Sequence, residues 1–263
     1  MYPSRILLSL TAIAAWAGTA LAGPIDVQVA ERQTQKLRIS EFILAARASF
    51  VSLTPLTRSL VPLGDSITEI TCWRALVWDM LADAKYADQV QYVGSQNSNP
   101  QNCKPNTANW DEHHEGHSGW LAIDIANNYL TKWMQSTPAD IVMFMLGTND
   151  VVRGHSTADI MAAYTKMVNI MRTANPKMKI IVDMVIPLSL GSNSGITAIN
   201  NAIPDWAKKL NTTDSPIVIA DCNTGFPTSD LRDGVHPNLA GDKIIASRIG
   251  PLLLNYVQES LGK

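Results

Sequence analysis

The chain carries the stretch LVPLGDSIT at residues 60–68, in which four apolar residues are followed at once by glycine, aspartate and serine. An amphipathic segment at residues 73–87 comes next. A short apolar run that leads through a small polar turn into an amphipathic segment predicts a buried strand followed by a helix. This strand-turn-helix unit is the pattern from which the rest of the fold can be predicted.

The same alternation continues to the end of the chain. The predicted strands are residues 60–63, 90–93, 141–146, 179–185 and 216–220, and the predicted helices are residues 73–87, 121–134, 157–174, 196–210 and 238–261. Parallel strands need crossover connections, and the intervening helices supply them. The sequence therefore predicts an α/β fold, a three-layer α/β/α sandwich on a five-stranded parallel sheet. Because no internal repeat of about 20 to 50 residues interrupts the pattern, residues 56–263 are expected to form one domain.

The composition limits the possible classes and partners. The chain has 263 residues, of which 46% are hydrophobic and 17% charged, and this excludes a disordered tail. The 21 basic and 23 acidic residues leave a formal net charge of -2. Because nucleic-acid binding needs clustered Lys and Arg, we expect no nucleic-acid partner.

The first 22 residues have the features of a secretory signal peptide. Arg5 precedes an apolar run from Ile6 to Ala17, and Ala20-Leu21-Ala22 matches an A-x-A cleavage site. A membrane anchor fits less well, because the run from Ile6 to Ala22 is shorter than the roughly 20 residues of a spanning helix. We expect a secreted, extracellular protein with no membrane attachment after cleavage. Residues 23–55 carry no motif and form an N-terminal extension of unknown role.

Three cysteines in an oxidising compartment leave one unpaired. Cys72 and Cys103 lie in segments that flank the same early strand, whereas Cys222 follows the last apolar run. We favour a disulfide between Cys72 and Cys103, with Cys222 as a buried free thiol. The sequence leaves the other two pairings open.

Polar motifs follow several of the predicted strands. In an open parallel sheet, ligands bind beyond the carboxyl ends of the strands, so these positions are the candidates for chemistry. The motifs are GDSIT at residues 64–68, HEGHSGW at 114–120, GTND at 147–150 and DGVHPN at 233–238. Each motif alone is typical of an ordinary turn or helix cap, but the four together supply complementary chemical roles.

These motifs contain every part of a serine-nucleophile site. Ser66 is the candidate nucleophile, His236 the candidate general base, and Asp233 the candidate group that orients the imidazole. The backbone N–H groups of Ser66 and Gly119 and the side-chain amide of Asn149 are the candidate donors to an oxyanion. The reaction class that fits this set is acyl transfer.

A histidine-rich segment, HHEGH at residues 113–117, raises the alternative of a metal site. It departs from the zinc-protease motif HExxH because position 118 is serine. We expect neither a metal nor a cofactor, and we expect structural or rim positions for these histidines. Asp65 and Asp150 are expected to brace turns and helix starts.

The four motifs resemble those of the SGNH (GDSL-type) hydrolases. The marked residues of that superfamily match Ser66, Gly119, Asn149 and His236, and the resemblance runs from residue 60 to the end of the chain. Within the superfamily, the longer strings GDSITE, YVG, HEGHSGW and DGVHPN are similar to carbohydrate esterase family 3, the secreted acetylxylan esterases. The resemblance implies a flavodoxin-like five-stranded parallel sheet and the removal of acetyl groups from plant cell-wall polysaccharide.

Three functions compete. We favour a secreted serine esterase that acts on acetylated xylan or a similar polysaccharide, and we expect it to be a monomer. A GDSL-type lipase, lysophospholipase or arylesterase is the alternative; a long acyl chain would need an apolar trench, whereas residues 95–115 are rich in Asn, Gln, Pro and His. A non-catalytic carbohydrate-binding protein would have no use for the complete catalytic set.

Overall fold

The computed structural model of the protein describes residues 57–108, 110–191 and 193–263. The predicted signal peptide at residues 1–22 and the predicted extension at residues 23–55 lie outside the described residues. In chain order the strands and helices are β1 (Arg58–Gly64), α1 (Ser66–Glu69), α2 (Trp73–Asp83), β2 (Val90–Tyr92), β3 (Glu115–Gly116), α3 (Ala122–Asp124), α4 (Leu130–Ser136), β4 (Ile141–Met145), α5 (Thr148–Val152), α6 (Thr157–Ala174), β5 (Lys179–Asp183), α7 (Ser194–Leu210), β6 (Ile217–Ala220) and α8 (Leu239–Ser260). A π-helical segment, Ile125–Tyr129, joins α3 to α4.

The sheet is parallel, with the strand order β2-β1-β4-β5-β6 and β3 paired to β1. Its register places Leu60 of β1 beside Tyr92 on one side and Ile141 on the other. The central strand β4 is buried along its whole length, as expected for a parallel strand covered on both faces. With the two-residue β3 set aside, the order is the flavodoxin-like one. The predicted fold class is confirmed.

Helices cover both faces of the sheet, and each face has its own apolar core. On one face, α2 and α8 contribute Trp73 and Ile245 to a buried cluster. On the other face, α4, α6 and α7 contribute Leu130, Met167 and Ile203. The predicted three layers are therefore present, and both cores support the loops at the carboxyl edge of the sheet. None of the described helices is long and apolar enough to cross a membrane.

The short strand β3 is a feature that the sequence did not predict. It pairs with Leu63 and Gly64 at the end of β1, beyond the point where β2 stops. A Cβ on Gly116 would lie 2.7 Å from the backbone nitrogen of Glu69, so only glycine allows this close approach. The segment that carries the HEGHSGW motif is thereby held directly against α1.

The cysteines are arranged as we favoured from the sequence. Cys72 and Cys103 form a disulfide, with their Cα atoms 5.3 Å apart. Cys222 is buried and unpaired. The bridge ties the start of α2 to the long excursion between β2 and β3, which leads to Gly119.

Candidate active site

Ser66 lies at the junction between β1 and α1, at the carboxyl edge of the sheet. Asp65 caps α1, because its Oδ1 accepts a hydrogen bond from the N–H of Ile67 at 2.9 Å. The cap fixes the first turn of the helix and leaves the Ser66 side chain partly exposed. Its Oγ lies 2.8 Å from Nε2 of His236. The candidate nucleophile and the candidate base are thus within hydrogen-bonding distance.

His236 and Asp233 lie in one tight loop before α8. Nδ1 of His236 lies 2.7 Å from Oδ2 of Asp233. The other carboxylate oxygen accepts hydrogen bonds from the N–H groups of Val235, at 3.1 Å, and His236, at 2.8 Å. Burial is the largest single influence on the pKa of Asp233 and raises it, but the hydrogen bonds from His236 and Val235 together outweigh burial and lower the pKa to about 2. The carboxylate is therefore charged at neutral pH and can stabilise a protonated imidazole.

Asn149 lies between the loops that carry Ser66 and Gly119. Its Nδ2 donates to Oδ2 of Asp65, at 3.0 Å, and to the carbonyl oxygen of Trp120, at 3.1 Å. Asp65 directly precedes Ser66, and Trp120 directly follows Gly119. The structure therefore brings together the loops of all three candidate oxyanion donors.

Gly119 is the third residue of a tight turn. The N–H of Trp120 donates to the carbonyl oxygen of His117 at 3.2 Å, and Gly119 has a φ of +79°. A positive φ at this position is the feature of a type II turn, and it favours glycine. Within the described part of the chain, the N–H groups of Gly119 and Ser66 make no hydrogen bond. Both are free to act as donors to a ligand.

Two buried aspartates brace the site, as the sequence predicted. Asp150 accepts hydrogen bonds from the N–H groups of Ala122, at 2.8 Å, and Ile123, at 3.2 Å, and so holds the start of α3. Burial raises the pKa of Asp150. Burial also raises the pKa of Asp65 to about 7; the hydrogen bond from Ile67 opposes the rise, and the charge of Asp150 adds to it.

The three histidines of the HHEGH segment have separate environments. His114 is fully buried, and its Nδ1 accepts a hydrogen bond from the N–H of Gly116 at 3.0 Å. Burial, helped by the nearby charge of Arg74, lowers the pKa of His114 to about 3. His117 lies 2.6 Å from Oε1 of Glu115, and His113 is exposed. No group of three or more metal-ligating side chains occurs among the described residues.

Three residues that the sequence analysis did not assign hold the loops of the site. Arg74 is buried, and its guanidinium donates to four backbone carbonyls, those of Thr68, Glu69, Ser98 and Glu112. Glu69 accepts hydrogen bonds from Ser118, and Arg153 donates to the carbonyl oxygen of Gly119. Glu69 belongs to the quoted GDSITE string, but nothing in the sequence indicates its partner. Arg153 has no sequence signal.

Comparison with known proteins identifies the class to which this fold and site belong. Residues 63–244 match the GDSL-like Lipase/Acylhydrolase family. The chain therefore belongs to that family, as the motifs around Ser66 and His236 indicated.

Two solved structures similar to this chain are an acetyl esterase and a carbohydrate esterase. A carbohydrate esterase family 3 structure from Talaromyces cellulolyticus is 49% identical, with 77% of this chain and 99% of that chain covered and a TM-score of 0.75. An acetyl esterase mutant crystallised with an acetate ion is 48% identical, with 78% of this chain and 100% of that chain covered and a TM-score of 0.75. The predicted similarity to carbohydrate esterase family 3 is confirmed.

A curated relative extends the comparison to a larger protein. A multidomain esterase from Ruminococcus flavefaciens is 26% identical over 231 residues. The match covers 78% of this chain, which spans 29% of the length of that relative. Together these proteins confirm the predicted enzyme class, a carboxylic ester hydrolase.

Proposed function

We propose that this protein is a secreted serine esterase that removes acetyl groups from plant cell-wall polysaccharide such as acetylated xylan. The observation that carries the proposal is the continuous chain of contacts from Ser66 Oγ to His236 Nε2, at 2.8 Å, and from His236 Nδ1 to Asp233 Oδ2, at 2.7 Å. A hydroxyl, an imidazole and a carboxylate in this order are the parts of a nucleophilic triad. The backbone N–H of Ser66 makes no hydrogen bond within the described residues, and Asn149 joins the loop of Ser66 to the loop that carries the likewise unpaired N–H of Gly119.

In the proposed first half-reaction, Ser66 Oγ attacks the carbonyl carbon of an acetyl group while His236 Nε2 takes its proton. The oxyanion that forms accepts hydrogen bonds from the N–H groups of Ser66 and Gly119 and from the amide of Asn149, one of whose two hydrogens turns to it from Asp65 or from the Trp120 carbonyl. The intermediate collapses, the bond to the sugar oxygen breaks, and His236 returns the proton to that oxygen. An acetyl-enzyme and a free sugar hydroxyl result.

In the second half-reaction, water replaces the sugar. His236 takes a proton from the water, whose oxygen attacks the acetyl carbon, and the same donors receive the negative charge. The second intermediate expels Ser66 Oγ, which regains its proton from His236, and acetate leaves. Asp233 holds the imidazole in one orientation and stabilises its charged form throughout.

The relatives and the polar loop support the choice of an acetylated saccharide as substrate. The 48–49% identical structures are an acetyl esterase and a carbohydrate esterase. Within the excursion between β2 and β3, residues 95–114 are rich in Asn, Gln, Pro and His, which suits a polar substrate better than a long acyl chain. A short acyl group on a carbohydrate fits both features.

Acetate release tests the proposal. Purified protein should release acetate from acetylated xylan faster than from acetylated pectin, and should act poorly on tributyrin. Ser66→Ala should abolish release from every substrate while the thermal midpoint stays within a few degrees. Hydrolysis of tributyrin but not of acetylated xylan would replace the proposal by a lipase, and saccharide binding without hydrolysis would replace it by a binding protein.

Secretion needs its own test, because it depends on residues 1–22. Expression of the full gene in a host that secretes proteins should yield a mature chain in the medium that begins at Gly23. An intact chain that stays with the cells would contradict this part of the proposal. Gel filtration of the mature chain would test the predicted monomer.

A further inference from the structure

The peptide group between Ser118 and Gly119 has two possible orientations. Type I and type II turns share the same end residues but differ by roughly a half-turn rotation of this central peptide. The rotation would move the N–H of Gly119 from one face of the turn to the other. The φ of +79° at Gly119 shows that the type II orientation is present. No atom lies within 4 Å of where a Cβ on Gly119 would be, so backbone conformation alone requires glycine there.

Charged side chains hold the two peptide groups on either side of this central one. On one side, Oε2 of Glu69 accepts hydrogen bonds from the backbone N–H of Ser118, at 2.7 Å, and from its hydroxyl, at 2.5 Å. On the other side, Nη2 of Arg153 donates to the carbonyl oxygen of Gly119 at 2.9 Å. Hydrogen bonds to charged groups are stronger than those between neutral groups. The central peptide is therefore fixed from both ends.

The turn is also held against the helix that begins with the nucleophile. Glu69 is the last residue of α1, whose first residue is Ser66. The N–H of His117 donates to the carbonyl oxygen of Gly64, at the end of β1, at 3.0 Å. The short helix α1 thus has Ser66 as its first residue and Glu69, which binds Ser118 of the turn, as its last.

The carboxylate of Glu69 is suited to holding the turn, because both of its oxygens accept hydrogen bonds and neither donates one. Besides Ser118, the hydroxyl of Ser98 donates to Oε1 at 3.1 Å. Partial burial raises the pKa of Glu69, but the hydrogen bonds from Ser118 and Ser98 outweigh this and lower the pKa. The group therefore remains ionised over the neutral range. A glutamine of the same size would present an NH2 group to at least one of these donors.

We propose that Glu69 is a positioning residue that holds the Ser118–Gly119 peptide in the type II orientation, so that the N–H of Gly119 is directed at the oxyanion. Arg153 acts on the same peptide from the other side. This inference rests on the proposed function, because it assigns Gly119 to the oxyanion site. It gives positioning roles to Glu69 and Arg153, neither of which touches the reacting atoms.

The test compares two matched glutamate variants. Glu69→Gln should lower kcat for p-nitrophenyl acetate by about 10- to 100-fold, since a misplaced oxyanion donor costs about that much, while KM changes less than about 2-fold. Glu259→Gln is the control, because Glu259 also accepts a hydrogen bond from one partner, Nζ of Lys179 at 2.5 Å, but at the opposite edge of the sheet from Ser66. The control should keep the wild-type kcat. Both variants should keep the wild-type thermal midpoint.

A double-variant cycle separates positioning from a general structural role. If Glu69 acts through Gly119, adding Glu69→Gln to Gly119→Ala should cause no further loss of kcat. Arg153→Ala, a change at an exposed side chain, should also lower kcat, and this variant replaces Glu69→Gln if the latter unfolds. Wild-type kcat in both Glu69→Gln and Arg153→Ala, or losses that multiply fully with Gly119→Ala, would overturn the inference. If instead Ser66→Ala retained turnover, the proposed function itself would fail.

Discussion

The side-chain amide nitrogen of Asn149 lies 3.0 Å from Oδ2 of Asp65, the residue that precedes Ser66. The same nitrogen lies 3.1 Å from the carbonyl oxygen of Trp120, the residue that follows Gly119. One amide group therefore joins the three loops that supply the oxyanion donors. Because Asp65 is buried and also caps α1, the position of Asn149 is coupled to that of the nucleophile.

Asn149→Ala should lower kcat for acetyl ester hydrolysis by about 10²- to 10³-fold, with a much smaller change in KM, because the lost hydrogen bond strengthens in the transition state. Asn175→Ala is the matched control, since its amide also donates to a carbonyl oxygen, that of Ala139 at 2.9 Å, but at the opposite edge of the sheet. Steady-state kinetics of both variants would check this. A rise in KM with unchanged kcat would remove Asn149 from the oxyanion role.

Acidification should lower kcat/KM, because His236 must be neutral to take the proton of Ser66. Asp233 does not cause this fall, since its pKa of about 2 leaves it ionised above roughly pH 4. Asp233→Asn should lower kcat by about 10²-fold or more and should preserve the decline at acidic pH. Rates measured from about pH 4 to 8 would test both statements. A flat profile would argue against His236 as the base.

Asp242 is not one of the catalytic residues, but its titration should make the stability of the protein depend on pH. It is buried near the start of α8, and its Oδ2 accepts a hydrogen bond from the N–H of Cys72 at 3.0 Å. Burial raises its pKa from 3.8 to about 6, with the hydrogen bonds opposing the rise. The folded state therefore holds this proton more tightly than the unfolded state. Its contribution to stability is complete below about pH 4 and is lost as the pH rises through 6.

The variant Asp242→Asn removes this titration. The free energy of unfolding of the wild type, relative to that of the variant, should decrease by up to about 3 kcal/mol between roughly pH 4 and 7. Urea unfolding at a series of pH values would measure the difference. A constant or increasing difference across that range would contradict the raised pKa.

The Cys72–Cys103 bridge closes a loop with a sequence separation of 31 residues. The chain-entropy estimate for a loop of this length is roughly 3 to 4 kcal/mol of stability. Replacing both cysteines by serine should lower the thermal midpoint, and dithiothreitol should lower that of the wild type to a similar value. Dithiothreitol should leave the double variant unchanged. If dithiothreitol lowered the thermal midpoints of the wild type and the double variant equally, the effect of the reductant would not come from loss of the Cys72–Cys103 bridge.

The sequence predicted the parts of the fold that depend on local pattern. The strand from Ile141 to Met145 is buried throughout, so its continuous apolar run identified it almost to the residue. Strand β3 escaped prediction because Glu115 and Gly116 form no apolar run. They pair only because β1 extends beyond β2, and that depends on the assembled sheet.

The same distinction applies to the candidate site. Ser66 and His236 each lie in a local motif with a recognisable chemical role, so they could be identified from the sequence. Glu69 and Arg153 act through contacts with residues 49 and 34 positions away in the chain, respectively. No local pattern encodes such a contact, and only the folded chain shows it.

Ser66 is proposed as the nucleophile and His236 as the base that activates it, and every catalytic step above requires this pair. A fluorophosphonate that reacts with activated serines, followed by peptide mass spectrometry, tests this directly. We expect one adduct, on the peptide that contains Ser66, with no adduct in Ser66→Ala and much slower labelling in His236→Ala. An active protein that is labelled on another serine, or that is labelled at Ser66 equally fast without His236, would contradict these roles.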